Sequence, residues 1–351
     1  MDRASILVRL VSHRAVIFGY LLAIAGVFGA TEAGAASLLR DVQIPSAALG
    51  HSIDVSVYRP DGAPPAGGWP VLYLLHGLNG GCRDWANFGG VQQTLDRLIA
   101  ARRIKPMLVV MPDGANSWYV DSAGVGGPGN YETAMLDDLP QAIERDFPVS
   151  RERGARAIAG LSMGGFGALR LALKRPDRYV AVASLSGAIW QNLPIDDAAG
   201  AKPRSRADYF QRVDAATIVS GIDLPPEGSH FGRAFGMPYD AKRFNAENVF
   251  TLLAQRLGPD VDLPAIYLTV GDHDSHSLWR GSIALYETLM ADGVNVDFRV
   301  TGGDHVWTLW RKSIEDALLF VDSKFLDRQS DPKVAAQSAA PKVAGVETTV
   351  K

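Results

Sequence analysis

The 351-residue chain carries 35 Lys and Arg against 38 Asp and Glu, 47% hydrophobic and 21% charged residues, and one cysteine. The apolar share suits a chain with a buried core, and a formal charge of −3 gives no electrostatic basis for holding a polyanion. Wholesale disorder and nucleic-acid binding are therefore set aside. Cys82 has no intramolecular disulfide partner, and no Cys or His spacing fits a structural zinc site, so stability must come from packing.

Arg3, Arg9 and Arg14 flank or precede the apolar run Ala15 to Ala30, and Ala33-Gly34-Ala35 offers small residues to a signal peptidase. A run of about 16 residues is short of the ~20 that a spanning helix needs. Residues 1–35 therefore read as a cleaved signal peptide, with a secreted or periplasmic product and no stable membrane span after cleavage. Residues 327–351 follow no helical or strand period and read as a disordered tail. Residues 36–326 suit one domain.

Within that domain, apolar runs alternate with amphipathic helical patterns, which predicts an α/β fold with a mostly parallel central sheet flanked by helices. Ile53 to Tyr58 alternates like an exposed strand. Val71 to Leu75, Met107 to Met111, Arg156 to Gly160, Tyr179 to Ser184, Ile266 to Val270 and Val296 to Val300 read as buried ones. Helical periodicity marks Val91 to Ala101, Tyr131 to Arg145, Gly164 to Lys174, Leu278 to Asp292 and Val306 to Phe325. In the last, Trp310, Ile314, Ala317, Leu318, Val321 and Phe325 form one stripe. Residues 190–248 break the rhythm with repeated Pro and Gly and read as an insertion over the active site.

Gly160-Leu161-Ser162-Met163-Gly164 joins a predicted strand to a predicted helix. A serine on such a turn projects its hydroxyl above the sheet, and small flanking residues let the turn close. The helix N-terminus favours developing negative charge, so the Met163 amide is one expected oxyanion donor. The second should come from the glycine-rich loop after Val71 to Leu75, where Leu78 N–H is chosen. In this fold class an acid and then a histidine follow the nucleophile. His305 lies between the last strand and the last helix, where a base is expected. Asp274 and Asp272 both compete for the acid, and Asp274 is preferred because Asp272 is placed to cap its turn. His76 precedes the nucleophile and reads as a loop-holding residue. His230, His273 and His276 read as polar surface or pocket wall.

Asp272, His273, Asp274, His276, Asp304 and His305 contain metal-ligand types, but no helical spacing fixes two of them, so neither metal nor cofactor is expected. Trp85, Trp118, Tyr119, Trp190 and Trp279 fall on or near predicted loops and are candidate substrate contacts.

Taken together, Pro70 to Gly77, Met111-Pro112-Asp113-Gly114, Asn116-Ser117-Trp118-Tyr119, Gly160 to Gly165 and Gly303-Asp304-His305-Val306-Trp307 resemble the putative-esterase family of α/β-hydrolases. The resemblance runs from about Val42 to Phe325. That family includes S-formylglutathione hydrolases, secreted mycolyltransferases, tributyrin-type esterases, and feruloyl and acetylxylan esterases. The resemblance implies Ser162 as nucleophile, His305 as base, Asp274 as acid, and Leu78 and Met163 as oxyanion donors. It also implies a serine esterase acting on short-chain acyl or polysaccharide-linked esters. The position of Cys82 and the leader point away from the glutathione branch. An acyltransferase moving the acyl group to a sugar hydroxyl, and a non-catalytic exported binding protein, are the alternatives.

Overall fold

A computed structural model of the chain describes residues 37–192, 231–258 and 261–325. The expected leader (1–35), the expected C-terminal tail (327–351), and residues 193–230 of the expected insertion lie outside the described residues.

Eight strands are described: β1 (Ser37–Ser46), β2 (His51–Arg59), β3 (Val71–Leu75), β4 (Leu108–Pro112), β5 (Arg156–Leu161), β6 (Ala181–Leu185), β7 (Ala265–Gly271) and β8 (Val296–Thr301). They form one sheet in the order β1-β2-β4-β3-β5-β6-β7-β8. β2 runs antiparallel to both β1 and β4, and every other pairing is parallel.

The helices are α1 (Asp84–Asn87), α2 (Val91–Ala100), α3 (Tyr131–Thr133), α4 (Leu139–Asp146), α5 (Met163–Lys174), α6 (Ala241–Glu247), α7 (Val249–Arg256), α8 (Trp279–Ala291) and α9 (Trp307–Lys324). Between α3 and α4 the chain makes a wide π-type turn at Ala134–Asp138. The period predicts one continuous helix there.

Because strand side chains alternate between faces, each strand feeds two cores. Val71, Tyr73 and Leu75 of β3 pack with α5 and α8 on one face. Leu72 and Leu74 pack with α2 and α9 on the other. The apolar stripe of α9 is buried as its spacing implies, from Trp310 through Ile314, Ala317 and Leu318 to Val321. α5 lies deepest: every residue from Met163 to Leu173 is buried.

The structure departs from the sequence pattern in four places. β2, expected to alternate like an exposed strand, is buried without a break from Val55 to Tyr58, because it lies between β1 and β4. β1 is a ten-residue strand that the sequence pattern does not single out. It pairs with β2 through a register irregularity between Leu39 and Val42, which blurs strict alternation. β8 reads as buried but is largely exposed, because it closes the order and pairs with β7 alone. α6 and α7 fall between the motifs. Phe244 in α6 and Phe250 and Leu253 in α7 are buried in the main core, so the end of the expected insertion is part of the domain's packing.

No helix among the described residues is long and apolar enough to cross a membrane.

Candidate active site

Ser162 sits between the last residue of β5 and the first of α5 at φ 52° and ψ −120°, a strained conformation for a residue with a side chain. Two glycines make the turn possible. A Cβ on Gly164 would lie 2.5 Å from the His76 carbonyl oxygen and 2.6 Å from that of Leu75. A Cβ on Gly160 would lie 2.3 Å from the Gly164 oxygen. All these neighbours are backbone and cannot rotate away. Gly164→Ala is therefore expected to cost about 3 kcal/mol of stability, at the upper end of ordinary overpacking. Urea unfolding measures it, and an unchanged midpoint would show that β3 gives way freely.

The loop between β8 and α9 supplies His305, and the loop after β7 supplies Asp274. His305 Nε2 is 2.9 Å from Ser162 Oγ, and its Nδ1 is 2.8 Å from Asp274 Oδ2. The acid side chain is fully buried and that of the histidine is 8% exposed. A carboxylate only accepts, so Nδ1–H donates to Asp274 and Nε2 is left to accept from the serine hydroxyl. Asp274 Oδ1 in turn accepts from the amides of His276 at 3.0 Å and Leu278 at 3.4 Å.

The rival acid, Asp272, lies elsewhere. Its Oδ1 accepts from Gly303 N–H at 2.9 Å and contacts His273 Nδ1 at 2.7 Å. It ties the two loops together rather than capping its own turn. Asp304 Oδ1 accepts from the amides of Ser275 and His305 at 2.7 and 2.6 Å. Those backbone donors hold its carboxyl below the usual range. Both carboxylates therefore brace the loops that carry Asp274 and His305.

Across the site, Gly77 follows β3 closely enough that a Cβ there would lie 3.3 Å from Ser162 Cβ. Leu78, the next residue, lines the same cavity as Ser162. Among the described residues, the amides of Leu78 and Met163 donate no hydrogen bond. The loop is fixed from beneath by His76, which is 1% exposed. Its Nδ1–H donates to Gly77 O at 2.8 Å, and its Nε2 accepts from Gly114 N–H at 2.8 Å.

Gly77, Leu78, Asn79, Gly80, Leu161, Ser162 and His305 open onto a cavity of about 920 Å³. Of the five aromatic residues expected at the substrate, Trp118 and Trp190 line it. Trp85 and Tyr119 do not. Trp85 is 1% exposed and donates its indole N–H to Leu75 O at 2.9 Å. Tyr119 is fully buried, and its hydroxyl donates to His76 O at 3.0 Å. Both support β3 and its loop from behind. Trp279 starts α8 outside the lining, with the Arg280 guanidinium 5.1 Å from its ring.

Trp307 and Trp310, in the first turn and a half of α9, complete the aromatic wall with Phe88. Their proximity to His305 in sequence was the available signal, outweighed for Trp310 by its place on a helical stripe. Asp84 and His276 also line the cavity. Burial raises the Asp84 carboxyl above its ordinary value.

Behind the site, Arg170 of α5 is fully buried and pairs with Glu132 of α3 and Glu247 of α6. Its Nη1 donates to Tyr119 O at 2.8 Å. Lys174 joins the same two carboxylates. Burial opposes ionisation of Glu247, but Arg170 and Lys174 outweigh it and hold the pKa at about 2. This network fastens α6 to the helix that follows the serine.

A mostly parallel eight-stranded sheet with its helices on both faces, and a serine on the strained β5–α5 turn, define an α/β-hydrolase. The chain matches the family described as "Putative esterase" over residues 46–321 and belongs to it. It is 38% identical over 210 residues to an esterase of Mycobacterium tuberculosis, covering 58% of this chain and 40% of that protein. The chain thus spans well under half the length of the first curated relatives it matches. It is 29% identical over 252 residues to an acetyl esterase of Caldicellulosiruptor saccharolyticus, covering 70% of this chain and 81% of the relative. Among solved structures, a ferulic acid esterase superposes with a TM-score of 0.57 at 25% identity, covering 83% of this chain and 99% of the other.

Proposed function

We propose that the protein is a serine carboxylesterase that cleaves short-chain acyl or carbohydrate-linked acetyl or feruloyl esters through an acyl-serine intermediate. The observation that carries this reading is the hydrogen-bonded row from Ser162 through His305 to Asp274, with spacings of 2.9 and 2.8 Å. Ser162 Oγ attacks the ester carbonyl carbon while His305 Nε2 takes the hydroxyl proton. Asp274 stabilises the imidazolium that forms. The carbonyl oxygen becomes an oxyanion facing the Leu78 and Met163 amides, which need no rearrangement to meet it.

Collapse of that intermediate breaks the ester C–O bond, and His305 returns the proton to the departing alcohol. A water molecule, deprotonated by His305, then attacks the acyl-serine; the bond from the acyl carbon to Ser162 Oγ breaks, His305 returns the proton to Oγ, and the acid is released. The aromatic faces of Trp118, Trp190, Trp307 and Phe88 suit an aryl acyl group or the C–H face of a sugar ring. The acetyl esterase and ferulic acid esterase likenesses support those acyl classes.

A fluorophosphonate probe tests the reading directly. It should label the peptide containing Ser162, and prior incubation with a short-chain p-nitrophenyl ester should slow the labelling. Labelling at another residue, or none in folded protein, would remove the proposal. A panel of acetyl, butyryl, long-chain and feruloyl esters then ranks the acyl groups.

A further inference from the structure

Beside the base, the cavity wall changes from aromatic to polar. Ser275 and His276, consecutive residues of the loop that carries Asp274, line the cavity next to His305. The His276 ring stands perpendicular to that of His305, with centroids 4.8 Å apart and an interplanar angle of 87°. Two carboxylates hold this stretch of backbone. The His276 amide donates to Asp274 Oδ1 at 3.0 Å, and the Ser275 amide donates to Asp304 Oδ1 at 2.7 Å. His276 is therefore anchored by the same acid that orients the base.

Its ring nitrogens make no hydrogen bond among the described residues. The His305 ring stands against it, and the carboxylates of Asp274 and Asp304 are its charged neighbours. Burial, and then the nearby His305, lower its pKa below the ordinary imidazole value despite the two carboxylates. At neutral pH the ring is uncharged, with one nitrogen that donates and one that accepts. A purely structural ring against His305 needs neither.

The chemistry determines what comes close to this ring. His305 must lie within hydrogen-bond reach of the alcohol oxygen as it departs, at roughly 3 Å. A substituent one or two carbons from that oxygen then falls alongside a ring whose centroid is 4.8 Å from that of the base. We propose that His276 is a specificity-determining residue that hydrogen-bonds a hydroxyl vicinal to the ester oxygen in the leaving alcohol. It selects esters of polyols over esters of simple alcohols. This rests on ester hydrolysis at Ser162 and adds the recognition of the alcohol.

The test compares kcat/KM for 1-monobutyrin, an ester of glycerol, with that for butyl butyrate, which has the same acyl group and no vicinal hydroxyl. His276→Phe keeps a ring against His305 and removes both nitrogens. His276→Gln restores a donor and an acceptor. The ratio of monobutyrin to butyl butyrate should fall about tenfold in the Phe variant, the scale of one hydrogen bond, and recover to within about threefold of wild type in the Gln variant. A ratio within about twofold of wild type in the Phe variant, with both esters cleaved, overturns the role of His276 alone. Wild-type protein that cleaves neither ester and is not labelled by the fluorophosphonate overturns the esterase reading and this inference with it.

Discussion

Ser162→Ala is expected to lower kcat for p-nitrophenyl butyrate by about 10⁶-fold while leaving the fold intact, the scale seen when a hydrolase loses its nucleophile. The group removed is one hydroxyl, whose hydrogen-bond partner among the described residues is His305 Nε2 at 2.9 Å. The backbone that strains the position is held by other bonds. Ser162 N–H donates to Leu185 O at 2.9 Å, and Ser162 O accepts from Phe166 and Ala188 at 3.0 and 2.9 Å. Alanine keeps all three, so the midpoint of thermal unfolding should stay close to that of wild type. The Leu78 and Met163 amides also remain, and if they hold the oxyanion as proposed, a residual rate above that of water is expected from them. A variant that retains more than a hundredth of the wild-type kcat would remove Ser162 as nucleophile.

The parts of this architecture legible in the sequence are those where local and tertiary demands agree. β3 and β5 are flanked by strands on both sides and covered on both faces, so they read as unbroken apolar runs, and β3 matches Val71 to Leu75 to the residue. The turn at Ser162 was legible because the glycines that permit close approach to β3 are visible as letters. Sequence order set His305 and the competing Asp272 and Asp274 after the strands that carry them, turn chemistry preferred Asp274, and folding brings Asp274 and His305 into the row at Ser162.

What did not read through depends on contacts distant in the chain. An edge strand such as β8 has the same β-branched composition as a central one, and only its missing second neighbour exposes it. An aromatic residue on a loop looks alike whether it faces a ligand or the core. Trp85 and Tyr119 are buried because β3 and its loop present carbonyls for the indole and the phenol to bond. Trp307 and Trp310 were the converse: residues at the start of a core helix whose first turns rise past the sheet and face the cavity. The cluster formed by Arg170, Glu132, Lys174 and Glu247 was also invisible, since its carboxylates sit 38 and 77 positions from the arginine in opposite directions.

Asp274→Asn tests the acid, and the loop geometry fixes what the amide must do. Two backbone N–H groups, from His276 and Leu278, donate to the oxygen that faces away from His305. Asparagine keeps those bonds only by placing its carbonyl oxygen there, which turns its NH₂ toward His305 Nδ1, 2.8 Å away in the wild type. Two donors cannot share that bond, so the imidazole must move its proton to Nε2, the atom that has to accept from Ser162. The opposite flip restores the tautomer but sets the NH₂ against two backbone donors in a fully buried position, which costs more than one lost hydrogen bond. The wrong tautomer is therefore the expected ground state, and kcat should fall by about 10⁴-fold with little loss of stability. Asp272→Asn is the matched control. That residue binds Gly303 N–H and the exposed His273, so the same chemical change there should cost about threefold or less, in line with a partly exposed hydrogen bond. If Asp272→Asn were the damaging substitution and Asp274→Asn the mild one, the assignment of the acid would have to be reversed.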